Sequence, residues 1–539
     1  MGNDRPWLAH YDKGIPYNLE YPNQCIHDLL IDQAERTPNK KAIILGDLSL
    51  TYSEVEKYSR NFASNLISNG IKPGDVVGIC LANSIEFVVS FFSVLRAGAI
   101  VAAMNPAFPG NELEFQVETS HASLVITSSE TAAQFDKMVV DGGQVNVILV
   151  GQSVSHNQLH YEELIKEPKI DCELPAVNPM GAAVVQFSGG TTGIPKAALG
   201  SHLNVVANVT QFRHWLVNLG DDQEIFLIAI PLYHVYGLVL GLILGIRMGA
   251  TLIFTGKSGS IEEILELFKK FPISYFPAVP TLFNMINQHP GVKQGTYSLA
   301  SVKACISGSA PLLETVRREF EKNSGGFLVE GYGLSEAPTA THCNPIMGEK
   351  RSGSIGLPLP DVECRITSLK EEGILVAQGE EGELWVRGPQ IMLGYLNAEI
   401  ETQKTLQDGW LRTGDIARMD VDGYFYISGR LKELIKVHGM QVWPNEVEAI
   451  VSRHPSILEC AIAGVPDDKL GECVKAWVVL KPGAKLELDD LRSFCRINLV
   501  GYKIPTQLEI RNHLPKSPVG KILRRVLVEE QMAHKKPGA

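Results

Sequence analysis

Ala182-Ala183-Val184-Val185-Gln186-Phe187 runs directly into Ser188-Gly189-Gly190-Thr191-Thr192-Gly193-Ile194-Pro195-Lys196. The first six residues are apolar but for one glutamine, the composition of a strand buried in a sheet. The next nine hold three glycines, two threonines, a serine and a lysine. Glycines let backbone N–H groups turn toward an anion, hydroxyls add donors, and the lysine adds charge. A strand feeding such a loop has the parts of a polyphosphate cradle. It is not a Walker loop, because Lys196 follows Pro195 and precedes Ala197 instead of standing in a Gly-Lys-Ser/Thr step. A plain surface loop would leave the strand context, the hydroxyl density and the lysine without a reason.

Upstream of this loop, strand and helix signals alternate. Ser53-x-x-Glu56 reads as a capping box that opens a helix, and Gly70 ends it. DVVGICLA (75–82) reads as a strand, SIEFVVSFFSVLRAG (84–98) as a helix, and AIVAAMN (99–105) as a strand. Downstream, Ile225 to Ile246 carries no Asp, Glu, Lys or Arg. That length suits a membrane span, but Pro231, Tyr233 and His234 interrupt it. The pattern predicts a buried strand, a turn and a buried helix.

The rhythm implies an α/β protein: a large multi-sheet N-terminal domain with mainly parallel strands, and a small α+β C-terminal domain. The predicted domains are 1–430 and 433–539, with a hinge at Lys432 in the charged turn Arg430-Leu431-Lys432-Glu433. Beyond it, Pro444 starts a helix with Asn445 and Glu448 as a capping box. Strands ECAIAGV and VKAWVVL and the helix DDLRSFCRINL follow.

Composition excludes several classes. The chain has 539 residues, a formal net charge of -11, 45% hydrophobic and 20% charged residues. This is a large globular core with an acidic surface, which argues against nucleic acid as the partner. The nine cysteines are scattered with no C-x-x-C pair, which favours buried thiols in a reducing compartment over a zinc site or a disulfide frame. The stretch MGNDRPWLAHYDKG lacks the apolar run of a secretory signal, so a cytoplasmic protein is expected.

Together with the loop, three further segments resemble the acyl-adenylate-forming superfamily: acyl-CoA synthetases, peptide-synthetase adenylation domains and firefly luciferases. They are Gly331-Tyr332-Gly333-Leu334-Ser335-Glu336, Gly409-Trp410-Leu411-Arg412-Thr413-Gly414-Asp415, and Leu514-Pro515-Lys516-Ser517-Pro518-Val519-Gly520-Lys521. PLYHVYG (231–237), SGSIGLPLP (352–360), GPQIMLGYLN (388–397) and the run from Phe494 to Arg525 look most like bacterial long-chain fatty acid–CoA ligases.

The resemblance implies ATP, Mg²⁺ and CoA as cofactors and cosubstrates. It also implies roles. Lys521 bridges the acid's carboxylate and the α-phosphate. Glu336 holds Mg²⁺ with the Thr192 hydroxyl. Ser188, Gly189, Gly190, Thr191, Thr192, Gly193 and Lys196 cradle the phosphates. Gly331, Tyr332 and Gly333 form the adenine and acyl-phosphate wall, Ser309 lies in a turn at the substrate, and Asp415 and Arg430 take the ribose. His234 faces the acid. Rotation about Lys432 exchanges Lys521 for Lys436 and Gly439. The residues themselves leave bland alternatives: a core imidazole for His234, a turn cap for Asp415, a helix-start carboxylate for Glu336 and a solvated lysine for Lys521.

The expected activity is ATP-dependent ligation of a medium- or long-chain fatty acid to CoA. The uncharged stretch Val235 to Ile246 suits an apolar monocarboxylic acid, although ordinary core packing gives the same pattern. Alternatives are an acyl-AMP ligase that loads a carrier protein, and an aryl or other carboxylate–CoA ligase. A serine hydrolase is a further one, since Gly333 to Ala337 is one glycine short of G-x-S-x-G. The partners implied are small molecules; a peripheral membrane contact suits a lipid enzyme, and a monomer or homodimer is expected.

Overall fold

The structure is a computed structural model describing residues 5–151, 159–168, 173–188, 196–256, 259–371, 373–438, 440–467, 470–517 and 520–534. It packs as two compact units. The first takes in the residues up to Glu363 together with Val386–Leu411; the second takes in Cys364–Trp385 and the residues from Arg412 onward.

The first unit holds an eight-stranded sheet. In spatial order its strands are Gly394–Tyr395, Lys196–Ser201, Ala182–Ser188, Ile100–Ala103, Val76–Cys80, Leu124–Ser128, Asn146–Val150 and Leu159–His160. From Ala182–Ser188 outward through Ile100–Ala103 the pairings are parallel. The strand Lys196–Ser201 instead returns antiparallel to Ala182–Ser188, with Phe187 opposite Ala197. Ala182–Ser188 and Lys196–Ser201 are thus antiparallel neighbours, and the helix His202–Trp215 follows only after the second strand, capped by the Ser201 side chain.

A second sheet carries Leu48–Thr51, Lys41–Leu45, Thr251–Phe254 and Ile225–Ile228. Single bridges from Phe226 to Tyr275 and from Tyr275 to Ala304 continue it into Ala304–Ser307 and Phe327–Gly333, all parallel. The strands Ile225–Ile228, Ala304–Ser307 and Phe327–Gly333 therefore end on one side, where ligands bind in open α/β sheets.

The helix Ile85–Arg96, capped by Ser84, is apolar nearly all round because it lies inside the unit. Phe87, Phe91 and Phe92 are fully buried, each contributing roughly 1.5–3 kcal/mol. Its one buried cation, Arg96, is matched by Glu56 at 3.0 Å on the helix Tyr52–Ser68. That helix is opened by a capping box of Thr51 and Glu54, two residues before the pair expected from sequence, because the preceding strand ends at Thr51.

The uncharged stretch folds as read: strand Ile225–Ile228, a turn, then a wide π-helical segment Gly237–Ile243 passing into Leu244–Arg247. Among the described residues, no helix is long and apolar enough to cross a membrane. Gly237 starts the segment because a Cβ there would lie 2.3 Å from the Pro231 carbonyl oxygen.

Cys172 lies outside the described residues; the other eight cysteines are free thiols, buried except for the half-buried Cys364. Cys25 meets His27 and His202 within 4.8 Å. Burial holds the two imidazoles down at about 4 and about 3 and pushes the thiol up to about 12. The trio is a neutral packed cluster, with Arg96 adding positive charge beside His27.

The second unit is α+β. Strands Glu363–Thr367, Gly382–Arg387, Trp410–Met419 and Phe425–Arg430 make one sheet. The long hairpin Ile457–Asp467 and Gly471–Leu480 anchors another, joined by Ile435–Val437, Met440–Val442 and the parallel strand Gln507–Arg511. Helices Pro444–Val451 and Leu488–Cys495 cover it through Val447, Val451, Leu491 and Cys495. The helix Pro444–Val451 starts on Pro444 without a side-chain cap. Asn445 and Glu448 are not a capping box; both accept hydrogen bonds from Arg524, because the basic segment near Lys521 supplies a stronger charged donor.

Candidate active site

In the first unit, three strand ends deliver the site. After Ile225–Ile228 the chain turns through His234 and Tyr236. The Tyr236 hydroxyl donates to the Ile306 carbonyl at 2.7 Å, tying this turn to the end of Ala304–Ser307. Gly308 packs closely beside it, and a Cβ there would stand 3.1 Å from the Tyr236 ring, tight enough that the ring would have to shift. Ser309 follows with φ +70°, a left-handed conformation that non-glycine residues adopt at a cost. Ser307 is fully buried, and its hydroxyl has no hydrogen-bond partner among the described residues. An orphaned buried hydroxyl at a strand end is a donor available to a ligand.

His234 accepts the Tyr236 backbone N–H on Nδ1 at 3.2 Å. Burial holds its imidazole down at about 4. It is therefore neutral at pH 7 with the proton on Nε2, which makes it a hydrogen-bond donor to an incoming carboxylate.

The third strand, Phe327–Gly333, ends in Gly331, Tyr332 and Gly333. Gly331 packs on Ile306, and a Cβ at Gly333 would lie 1.7 Å from the Thr339 carbonyl oxygen, so only glycine fits. The Tyr332 ring meets His342 edge-on at 5.8 Å. Glu336 follows in the next turn. Its Oε1 accepts the Tyr395 hydroxyl at 2.8 Å. Burial, and then the Glu336 carboxylate itself, push the Tyr395 phenol far above its usual range, so Tyr395 stays protonated and donates.

Lys196 opens the strand after the loop. Its Nζ lies 4.8 Å above the centre of the Tyr395 ring and pairs with Glu401. Ser188 ends the preceding strand. Gly189, Gly190, Thr191, Thr192 and Gly193 lie outside the described residues, as does Gly439. A charged carboxylate already turned by a neutral donor suits a hard cation that keeps its waters, so Glu336 fits a Mg²⁺ ligand.

The second unit holds a separate charged cluster. Asp415, buried on Trp410–Met419, stands opposite Arg430 on Phe425–Arg430, with Arg430 Nε 2.9 Å from Oδ1. Lys521 lies near enough to feel the charge of both. The Arg430 guanidinium first, and burial second, pull its ammonium down to about 8, against the opposite pull of Glu433 and Asp415. Arg524, three residues on, donates to Glu433 and Glu448 at 2.7 Å each. Lys432 is exposed in the short 3₁₀ turn Leu431–Glu433. Lys436 is exposed on Ile435–Val437, its backbone N–H donating to Glu472 at 2.7 Å.

The structure thus brings His234, Ser309, Tyr332 and their glycines to neighbouring strand ends, links Glu336 to Lys196 through Tyr395, and groups Asp415, Arg430 and Lys521. Sequence reasoning missed Tyr395, Glu401, Glu433 and Arg524 as parts of these clusters. GPQIMLGYLN carried the signal for Tyr395 only as a resemblance, since its pairing with the strand of Lys196 joins segments far apart in sequence.

Glycine-walled strand ends, a neutral imidazole, a cation-ready carboxylate and a carboxylate–guanidinium–lysine cluster define an enzyme that handles a nucleotide and an acid. Residues 30–396 match the AMP-binding enzyme family and residues 446–521 the AMP-binding enzyme C-terminal domain. The chain belongs to the AMP-binding enzymes, the acyl-adenylate-forming superfamily that its motifs resemble. It is 38% identical to a long-chain-fatty-acid–CoA ligase of Bacillus subtilis (strain 168), over 98% of this chain and 99% of the relative. In structure it is similar to the anthranilate CoA ligase AuaEII in complex with anthranoyl-AMP, with a TM-score of 0.86 and 26% identity over 96% of this chain and 99% of that one. It is also similar to o-succinylbenzoate CoA synthetase from Bacillus subtilis in complex with ATP and magnesium ion, with a TM-score of 0.81 and 26% identity over 93% and 99%.

Proposed function

We propose that this enzyme ligates a medium- or long-chain fatty acid to CoA through an acyl-adenylate. The carboxylate attacks the α-phosphorus of ATP and pyrophosphate leaves; the CoA thiol then attacks the acyl carbon, and AMP and a proton leave. The observation that carries the substrate class is the end-to-end likeness to the Bacillus subtilis long-chain ligase. The uncharged stretch from Val235 to Ile246 offers no cation for a second carboxylate, which suits an apolar monocarboxylic acid.

The residues divide the work. Bringing two anions together needs fixed positive charge, and Lys521 supplies it. Asp415 and Arg430 present acceptor and donor to ribose hydroxyls. Neutral His234 donates Nε2–H to the acid without adding a charge the apolar stretch would resist. Glu336, with Thr192 from the loop, would hold Mg²⁺, which neutralises the departing pyrophosphate when bound. For the thioester step, rotation about Lys432 replaces Lys521 by Lys436 and Gly439. The protein acts in the cytoplasm, meeting its lipid substrate in solution or at a membrane surface.

The test is ATP–pyrophosphate exchange and thioester formation with acids from acetate to palmitate and with cinnamate, beside Lys521→Ala. Exchange and thioester with C8 to C16 acids, lost in the variant, is the expected result. Thioester from cinnamate alone moves the substrate to aryl acids; AMP without thioester moves the acceptor to a carrier protein. Absence of exchange with every acid overturns adenylation.

A further inference from the structure

We infer that Tyr395 is the positioning residue of the phosphate end of the site, one side chain that sets both Glu336 and Lys196. The inference rests on the reading of Glu336 as a cation ligand, and it adds a residue that neither the motif roles nor the family match assigns.

Three contacts meet on this residue. Its hydroxyl donates to Glu336 Oε1 at 2.8 Å. Its ring lies under Lys196 Nζ at 4.8 Å, within cation–π range. Its own backbone is nailed down: Tyr395 is paired with Ala198, and its N–H donates to Thr402 Oγ1 at 2.8 Å. Around it, Met392 N–H donates to the Glu336 carbonyl at 3.0 Å, Leu393 N–H to Leu199 at 2.8 Å and Leu396 N–H to Ala197 at 2.8 Å. The residue is only 9% exposed, so both partners are met inside the fold and not in open solvent.

Each contact has a consequence. The phenol hydroxyl donates to Glu336 Oε1 at 2.8 Å and fixes how that carboxylate is turned. With Oε1 engaged, the other oxygen of Glu336 is presented to a cation. The aromatic face holds the lysine ammonium in place without neutralising it, so its charge is open to phosphate once the Glu401 carboxylate gives way. A phenylalanine here would keep the ring and lose the hydroxyl. A leucine would lose both, so the two functions separate by mutation.

The experiment compares wild type, Tyr395→Phe and Tyr395→Leu as full-length protein. Mn²⁺ binding to the protein–ATP mixture is followed by electron paramagnetic resonance, ATP affinity without metal by calorimetry, and exchange against Mg²⁺ concentration. For Tyr395→Phe, Mn²⁺ affinity and the Mg²⁺ half-saturation point worsen about 5- to 10-fold, with metal-free ATP affinity unchanged. For Tyr395→Leu, metal-free ATP affinity also falls several-fold. Unchanged metal dependence in both variants overturns the inference, as does an equal loss of every parameter alongside a lowered melting temperature. If wild type shows no exchange with any acid but binds Mn²⁺ and ATP, the fatty-acid reading fails while the Mn²⁺ comparison still decides the role of Tyr395.

Discussion

Arg430 stands directly across the strand pair from Asp415, its Nε 2.9 Å from Oδ1, and the same guanidinium is the largest influence on Lys521. One arginine therefore pairs with the Asp415 carboxylate, the ribose acceptor of the proposed function, and depresses Lys521, the lysine that proposal needs charged. With Lys521 at about 8, adenylation kcat/KM falls as pH rises through about 8. Arg430→Leu moves this alkaline limb upward even as ATP binding weakens. Lys521→Ala abolishes the limb and costs about 10²- to 10³-fold in rate. Initial-rate profiles from pH 6 to 10 decide it.

The same lysine predicts a stability slope. Between about 8 and its ordinary 10.5, the unfolded chain holds a proton that the folded lysine has released. Stability from this group therefore rises with pH across that window, and its burden is greatest below it. Denaturant titrations of wild type and Lys521→Met at pH 7 and 9.5 give a smaller pH increment in the variant.

Arg524 joins Glu433, Glu448 and Asn445 in one part-buried network, with its side chain 16% exposed. Arg524→Ala removes the guanidinium from both carboxylates and destabilises the second unit by about 1–3 kcal/mol. Urea unfolding followed by hydrogen exchange on Pro444–Val451 measures the loss; an effect below 1 kcal/mol shows the network to be dispensable.

His234 is neutral above about pH 4, so the acid limb of the rate profile carries no inflection near 6.5 from this residue. His234→Phe removes the Nε2–H donor and lowers kcat/KM for the acid about tenfold, with ATP affinity retained. An inflection near 6.5 that vanishes in the variant contradicts the assignment.

Glu401 holds Lys196 in an ion pair, and the two lysines Lys196 and Lys404 draw its carboxyl down to about 2. In the proposed function, phosphate takes its place on Lys196. Glu401→Gln lowers KM for ATP about two- to fivefold, the scale of a partly exposed pair; an unchanged or raised KM shows that the pair organises the lysine instead of competing for it.

Much of the fold was legible because its signals are local. Ser84 caps the helix Ile85–Arg96, uncharged residues mark Ile225 to Ile246, and Pro231 splits that stretch into strand and helix. What was not legible is long-range pairing. The antiparallel return of Lys196–Ser201, the Tyr395 strand beside it and the capture of Asn445 and Glu448 by Arg524 all join residues that no periodicity connects. At the site, glycines and charges were readable by type, while the Glu336–Tyr395–Lys196 link depends on a strand only two residues long.

His234, Ser309 and Tyr332 all stand just beyond, or on the final residues of, strands whose interiors are core. The rim residues assigned to substrate in the proposed function are thus different from those that hold the sheet. Variation at the rim leaves the packing of Phe226, Cys305 and Leu328 untouched, so on that proposal a new acid preference needs no new solution to the folding problem.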